Sequence, residues 1–386
     1  MNESKASRYQ RLRRRAHVAG VASGGACLAL LALTPAARLL ARWSSGFSGA
    51  MPLPLGGLGA TVTFAGAVVV LWEIVALPAV LYVGLSVDRR FKAADHSVEG
   101  VLSAQVQATV VALVAAIASA MIVFTAARLA GGFWWLAAGA SLAIALVAAV
   151  RLGPALLIRA GSVHPIARPS LMSALRELAR RSDIAVSDIL EWRVDRDARA
   201  TALVTGLGRT RRVFLASDIL REWPDDEIAV VVAHELAHHV HQDLWATLAV
   251  DSLVLSFGLW AGEQAVRWLA PALSIASAGD VAALPLIALV TGGVWLLATP
   301  LRHAQSRAQE RRADRFALKM TGEADAFGSA VRRLSVQHLA EERPSTLTRW
   351  LFHRHPPVAE RLELAERFRQ ETTPGVSSGQ NCRAFR

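Results

Sequence analysis

The chain has 386 residues, 53% of them hydrophobic and 19% charged, with a mean hydropathy of +0.35. A soluble domain carries about 25% charged residues, so this composition argues against an ordinary soluble enzyme, and a disordered chain would be far poorer in apolar residues. Two cysteines, Cys27 and Cys382, leave no disulfide scaffold or cysteine-rich zinc module. The formal charge of +11 would suggest nucleic acid in a soluble protein, but basic cytoplasmic loops are its commoner cause in a membrane protein.

A bilayer core about 30 Å thick needs roughly 20 apolar residues in a helix. Residues 17–41, 60–87, 102–130 and 133–158 supply four such stretches, and 244–270 and 281–300 supply two more. The expected fold is mainly α: a polytopic membrane protein of about six transmembrane helices with a cytoplasmic domain containing a small β-sheet. The expected partition is 1–158 for helices one to four, 159–243 for a cytoplasmic domain and 244–300 for helices five and six. A second cytoplasmic, helical part follows at 301–370, and a Pro-, Gly- and Ser-rich tail, expected to be disordered, occupies 371–386.

Loop charges orient the chain. Lys5, Arg8, Arg11, Arg13, Arg14 and Arg15 precede the first stretch and place the N-terminus in the cytoplasm. The uncharged loop Ser44 to Leu58 is then external, Arg89, Arg90 and Lys92 internal, and the Gly131–Gly132 turn external. Arg151, Arg159 and Arg168 open the internal polar block. Pro271 to Gly279 is external, and Arg302, Arg307, Arg311 and Arg312 return inside. Arg38, Arg42, Arg128 and Arg267 sit near outer helix ends against this trend. A cleaved signal peptide over residues 8–37 is the rival reading of the first stretch, but the apolar run is long for one and five more stretches follow.

Within the polar block, Leu171, Leu175 and Leu178 mark one face of an amphipathic helix over Pro169 to Arg181. Ile189 to Val194, Ala200 to Gly206 and Arg211 to Ser217 read as short strands, the last two joined by a turn at Leu207 to Thr210. A helix starts after Pro224, with Asp225, Asp226 and Glu227 suiting the dipole of its first turn.

That helix carries His234-Glu235-Leu236-Ala237-His238, the H-E-x-x-H pattern. Positions i and i+4 share a helix face, so both imidazoles can reach one metal with Glu235 beside it. Zinc suits two neutral imidazoles plus a carboxylate, with a fourth position open for water. Glu310 and Asp314, also at i, i+4, are candidates for the third ligand: one to bind, one to orient a ligand histidine. The alternative is that both pair with Arg307, Arg311 or Arg315 on a solvated helix face.

The stretch Val232 to His238, the segment Glu310 to Asp314 with Ala313, and His355-Pro356-Pro357 with Arg361 together resemble the CAAX prenyl protease and HtpX-type integral-membrane zinc metalloendopeptidases, a gluzincin family. Gly206 to Val213 and Leu77-Pro78 with Tyr82 extend the likeness, which runs from about residue 70 to 365. The resemblance implies one Zn2+ per chain bound by His234, His238 and Glu310, with Glu235 as general base and Asp314 behind a ligand. It implies that His355, with Arg361 nearby, stabilises the oxyanion, where a peptide hydrolase needs a donor. His355 also reads as an exposed histidine before a proline turn, or as a helix cap. One departure is Thr201-Ala202-Leu203, where the family has Asn-Ala-aromatic in the strand that pairs with substrate.

His239 and His241 differ in helical phase from the ligand pair and read as neighbours. Glu73 and Asp251 lie inside apolar stretches, as functional groups or as interhelical polar contacts. Cys382 misses the prenylation position by one residue. The expected function is zinc-assisted peptide hydrolysis at the cytoplasmic face of a bacterial membrane, in membrane-protein quality control or CAAX-like processing. The rivals are a catalytically lapsed scaffold of the same fold and a transporter. Expected partners are protein or peptide substrates and the lipid bilayer, without nucleic acid.

Overall fold

The computed structural model describes residues 4–50, 56–93, 97–159, 163–193 and 202–372. Thr201, Cys382 and the tail beyond 372 lie outside the described residues. The chain divides into two units: 1–153 with 244–305 and 350–352, and 154–243 with 306–349 and 353–386.

In the first unit, α1 (Lys5–Leu33) stops because Thr34 precedes a proline, which forces it extended at φ −125°, ψ 170°. The chain restarts as α2 (Ala36–Gly49). The apolar stretch expected over 17–41 is therefore two helices, and the expected external loop begins as helix. Next come α3 (Gly56–Leu81), a π-helical segment Tyr82–Asp88, and the short α4 (Arg89–Phe91). Pro78, inside α3, withdraws one backbone donor a turn ahead of the π-helical segment. A Ser97 cap opens α5 (Val98–Leu129), and a tight turn at Gly131–Phe133 leads into α6 (Trp134–Arg159).

The second unit opens on β1 (Val163–Pro165), which the sequence reading did not anticipate. It continues with α7 (Pro169–Arg181), β2 (Asp188–Trp192), β3 (Ala202–Thr205), β4 (Arg212–Ala216), α8 (Ser217–Glu222) and α9 (Asp225–Val240). The sheet order is β1-β2-β4-β3. Only β2 and β4 run parallel, and β3 is an edge strand with Val204 opposite Val213. Gly206 turns β3 towards β4 at φ +101°, where a Cβ would stand 2.4 Å from the Thr210 carbonyl oxygen, so only glycine fits.

The remaining elements are α10 (Asp243–Leu273), α11 (Leu284–Thr321), α12 (Ala324–Gln337), α13 (Thr346–Phe352) and α14 (Val358–Thr372). α11 is continuous through Pro300, so Glu310 and Asp314 belong to the same helix as the last apolar stretch rather than to a separate one after it. Among the described residues, six helical segments are long and apolar enough to cross a membrane: 5–33, 57–91, 98–129, 131–155, 243–273 and 281–321.

The core of the second unit joins Leu171, Leu175 and Leu178 of α7 to Val213 and Leu215 of β4 and to Ile228, Val232 and Leu236 of α9. Ala317 and Leu318 of α11 and Phe327 of α12 close it. Fully burying one such side chain contributes about 1.5–3 kcal/mol, so the apolar stripe of α9 fixes that helix's rotation.

Candidate metal centre

With Ile228, Val232 and Leu236 committed to the core, α9 has its rotation set, and His234 and His238 stand one turn apart on a different face. Its N-terminus is pinned: Arg168 pairs with Asp225, and Ser329 Oγ donates to the buried Glu227 at 2.6 Å. The two imidazoles meet edge to face with centroids 5.1 Å apart. α11 approaches closely because Ala313 and Ala317 are small and fully buried, and it brings Glu310 to the pair.

His234 Nε2 is 3.3 Å from Glu310 Oε2, and His238 Nε2 is 3.7 Å from Oε1. These three residues each offer one ligand atom, all within 4.8 Å of one another. Behind them, Asp314 Oδ1 lies 2.9 Å from His234 Nδ1. Arg361 donates from Nε and Nη2 to both oxygens of Asp314, at 2.9 and 2.6 Å. The structure thus places Arg361 against Asp314, whereas the resemblance had put it near the oxyanion. His355, with its side chain 68% exposed, sets Nδ1 2.8 Å from Glu310 Oε2.

The donor set fits a divalent cation. Glu310 Oε2 is buried with two imidazole nitrogens close by, yet none stands in hydrogen-bond geometry to it. Burial would lower the His234 imidazole, but contacts to Asp314 and then Glu310 outweigh it and push its pKa up to about 10. Two carboxylates set against one buried imidazole favour positive charge there, and two imidazoles with one carboxylate suit zinc. Burial also pushes the Glu235 carboxyl up, against the pull of His234 and His238; a raised carboxylate is better matched to taking a proton near neutral pH.

Of the two histidines read as neighbours, His239 bonds through Nε2 to the Val204 carbonyl of β3 at 3.1 Å, and His241 packs edge-on against Phe316. Burial lowers the pKa of both. A residue the sequence reading passed over, Asp243, sits 2.8 Å from His238 Nδ1. It lies beyond the end of α9, where helical periodicity no longer reports which residues meet. The available signal was an acidic residue five positions after the second histidine, just past a helix end.

Comparison with known proteins agrees with this geometry. The model of "Peptidase family M48" matches residues 165–368. The "Uncharacterized metalloprotease YhfN" of Bacillus subtilis is 29% identical over 216 residues, 55% of this chain and 50% of that protein. A "Protease HtpX homolog" of Bacteroides fragilis is 28% identical over 197 residues, 45% of this chain and 61% of that protein. The chain therefore spans about half to three fifths of the length of these curated relatives. The crystal structure of S. mikatae Ste24p shares the fold at a TM-score of 0.70 and 17% identity, covering 84% of this chain and 79% of that one. The described helices and this match make the protein an integral membrane protein, mainly α with one small sheet. Since the family model covers more than half of the chain, including β2 to β4, the H-E-x-x-H helix, Glu310 and Arg361, the chain belongs to peptidase family M48.

Proposed function

We propose that this protein is a zinc-dependent endopeptidase that hydrolyses peptide bonds at the cytoplasmic face of a bacterial membrane. The observation that carries the reading is the convergence of His234, His238 and Glu310 to within 4.8 Å, with Glu235 on the intervening turn. His234, His238 and Glu310 would hold the ion. Zinc, when bound, supplies Lewis-acid polarisation of a water and of the scissile carbonyl.

The chain's own groups do the rest. Glu235, its carboxyl raised by burial, takes a proton from the attacking water and delivers it to the leaving amine. His355 is exposed beside Glu310 and is the donor available to the developing oxyanion. Arg361, with two nitrogens on Asp314, acts through His234 by holding its partner in place. β3, the last strand of the sheet among the described residues, would supply main-chain groups for an extended substrate segment.

The alternation of basic loops supports an N-terminus and active site on the cytoplasmic side. Among the described residues, six helical segments apolar enough to cross a membrane support substrates that are themselves in or at the bilayer, in membrane-protein quality control or CAAX-like processing. The test is zinc content and peptide cleavage in detergent-purified wild type, Glu310→Ala and Glu235→Gln. One zinc per wild-type chain, lost in Glu310→Ala and kept in an inactive Glu235→Gln, is expected. A wild type without metal would move the protein to a catalytically lapsed scaffold.

A further inference from the structure

We infer that Asp243 is a positioning residue for His238, clamped in place by the same helix that provides Glu310. This rests on the zinc reading above and extends it to a residue outside the H-E-x-x-H and Glu310–Asp314 segments. His238 Nδ1 and Asp243 Oδ2 are 2.8 Å apart, and the Asp243 side chain is 5% exposed. A carboxylate here accepts a proton held on Nδ1, which leaves the Nε2 lone pair facing Glu310 and any bound cation.

The carboxylate is itself held. Arg312 donates to its other oxygen, Oδ1, and Gln309 Nε2 donates to the Asp243 main-chain carbonyl at 3.3 Å. Gln309 and Arg312 flank Glu310 in sequence, so one segment of α11 supplies a ligand and fixes the partner of another ligand. The backbone is shaped for this contact. α9 ends with the His241 N–H on the Ala237 carbonyl, and Gln242 adopts φ +55°, a conformation that glycine or asparagine takes more readily. That left-handed residue turns the chain so that the next one, Asp243, faces His238 five positions back. The result mirrors the other side of the site: Arg312–Asp243–His238 corresponds to Arg361–Asp314–His234.

A plain structural role is the competing account, because Asp243 is also the first residue of α10 and its charge suits a helix start. The two accounts part on metal affinity. The experiment uses the full chain in detergent, with zinc affinity from competition with a chelating dye, the visible absorption of the cobalt(II)-loaded protein, and the melting temperature of the metal-stripped form. Asp243→Ala is expected to weaken zinc binding about 10–100-fold and to shift the cobalt bands, with the stripped protein melting as wild type does. Asp243→Asn, whose amide oxygen still accepts from Nδ1–H, is expected to recover part of that loss, and Arg312→Gln to fall between wild type and Asp243→Ala.

Wild-type zinc affinity and cobalt bands in Asp243→Ala would overturn the assignment while leaving the metalloprotease reading intact. So would a loss of affinity that merely tracks a falling melting temperature across the three variants. Should Asp243→Ala not fold, Asp243→Leu, which removes the acceptor but keeps the side-chain bulk, takes its place, and wild-type zinc affinity there overturns the assignment equally. A wild type that takes up no zinc would instead sink the metalloprotease reading, and this assignment with it.

Discussion

Polar groups are buried in both units, but they are satisfied in different ways. In the first, the acidic side chains close on dedicated partners, although Arg38 Nε and Thr291 Oγ1 are buried without a hydrogen bond. Asp251 receives two hydrogen bonds from Arg302, Glu263 accepts from Trp134 Nε1 and from Arg267, and Glu73 accepts from Gln105. In the second, His234, His238, Glu310 and His355 crowd together, and the buried Oε2 of Glu310, set between two imidazoles, lacks a well-formed hydrogen bond. Pairs that complete each other are what an apolar medium demands, since an unsatisfied polar group there is costly. A cluster that stays incomplete, walled by further ion pairs, marks a site built around a ligand. Glu73 and Asp251, both open to a functional reading from sequence, fall on the first side of this contrast.

The contrast can be broken by mutation. The largest expected effect is on cleavage: Glu235→Gln should lower it about 10²–10⁴-fold while zinc content stays at wild type. Cleavage kinetics beside metal analysis would check it, and full activity would remove Glu235 from its role. Next, Arg361→Met should leave Asp314 buried behind His234 without its guanidinium partner. It should weaken zinc about 10–100-fold and cost roughly 3–5 kcal/mol of stability, read from chelator competition and denaturation; unchanged zinc affinity would reduce Arg361 to a packing residue.

By contrast, Asp251→Asn should keep zinc and lower stability by about 0.6–2 kcal/mol, measured by unfolding in mixed micelles. A loss of zinc or of cleavage with the fold intact would move Asp251 to the functional side. The smallest effect concerns pH. The carboxylates around His234 favour its protonated form up to about pH 10, and a ligand imidazole must give up a proton to bind metal. Zinc affinity should therefore climb as pH rises from 6 towards 8, and a flat titration would deny that competition.

Much of this molecule was open to reading from the chain itself. Hydropathy reports helix length directly, because a bilayer imposes one on every crossing segment. The span of α7 was legible because Leu171, Leu175 and Leu178 repeat at helical spacing, and the H-E-x-x-H pair because i and i+4 meet on any helix. Local chemistry that sequence patterns average over decided other boundaries: the break at Thr34–Pro35, the unbroken run of α11 through Pro300, and the short strand β1. Beyond local range, spacing carries no distance. That Arg361 closes on Asp314 and Asp243 on His238 depends on a left-handed Gln242, on two buried alanines of α11 and on the packing of α9. Such contacts join residues far apart in sequence or separated by a helix end, so only the assembled tertiary structure determines which groups stand behind the metal ligands.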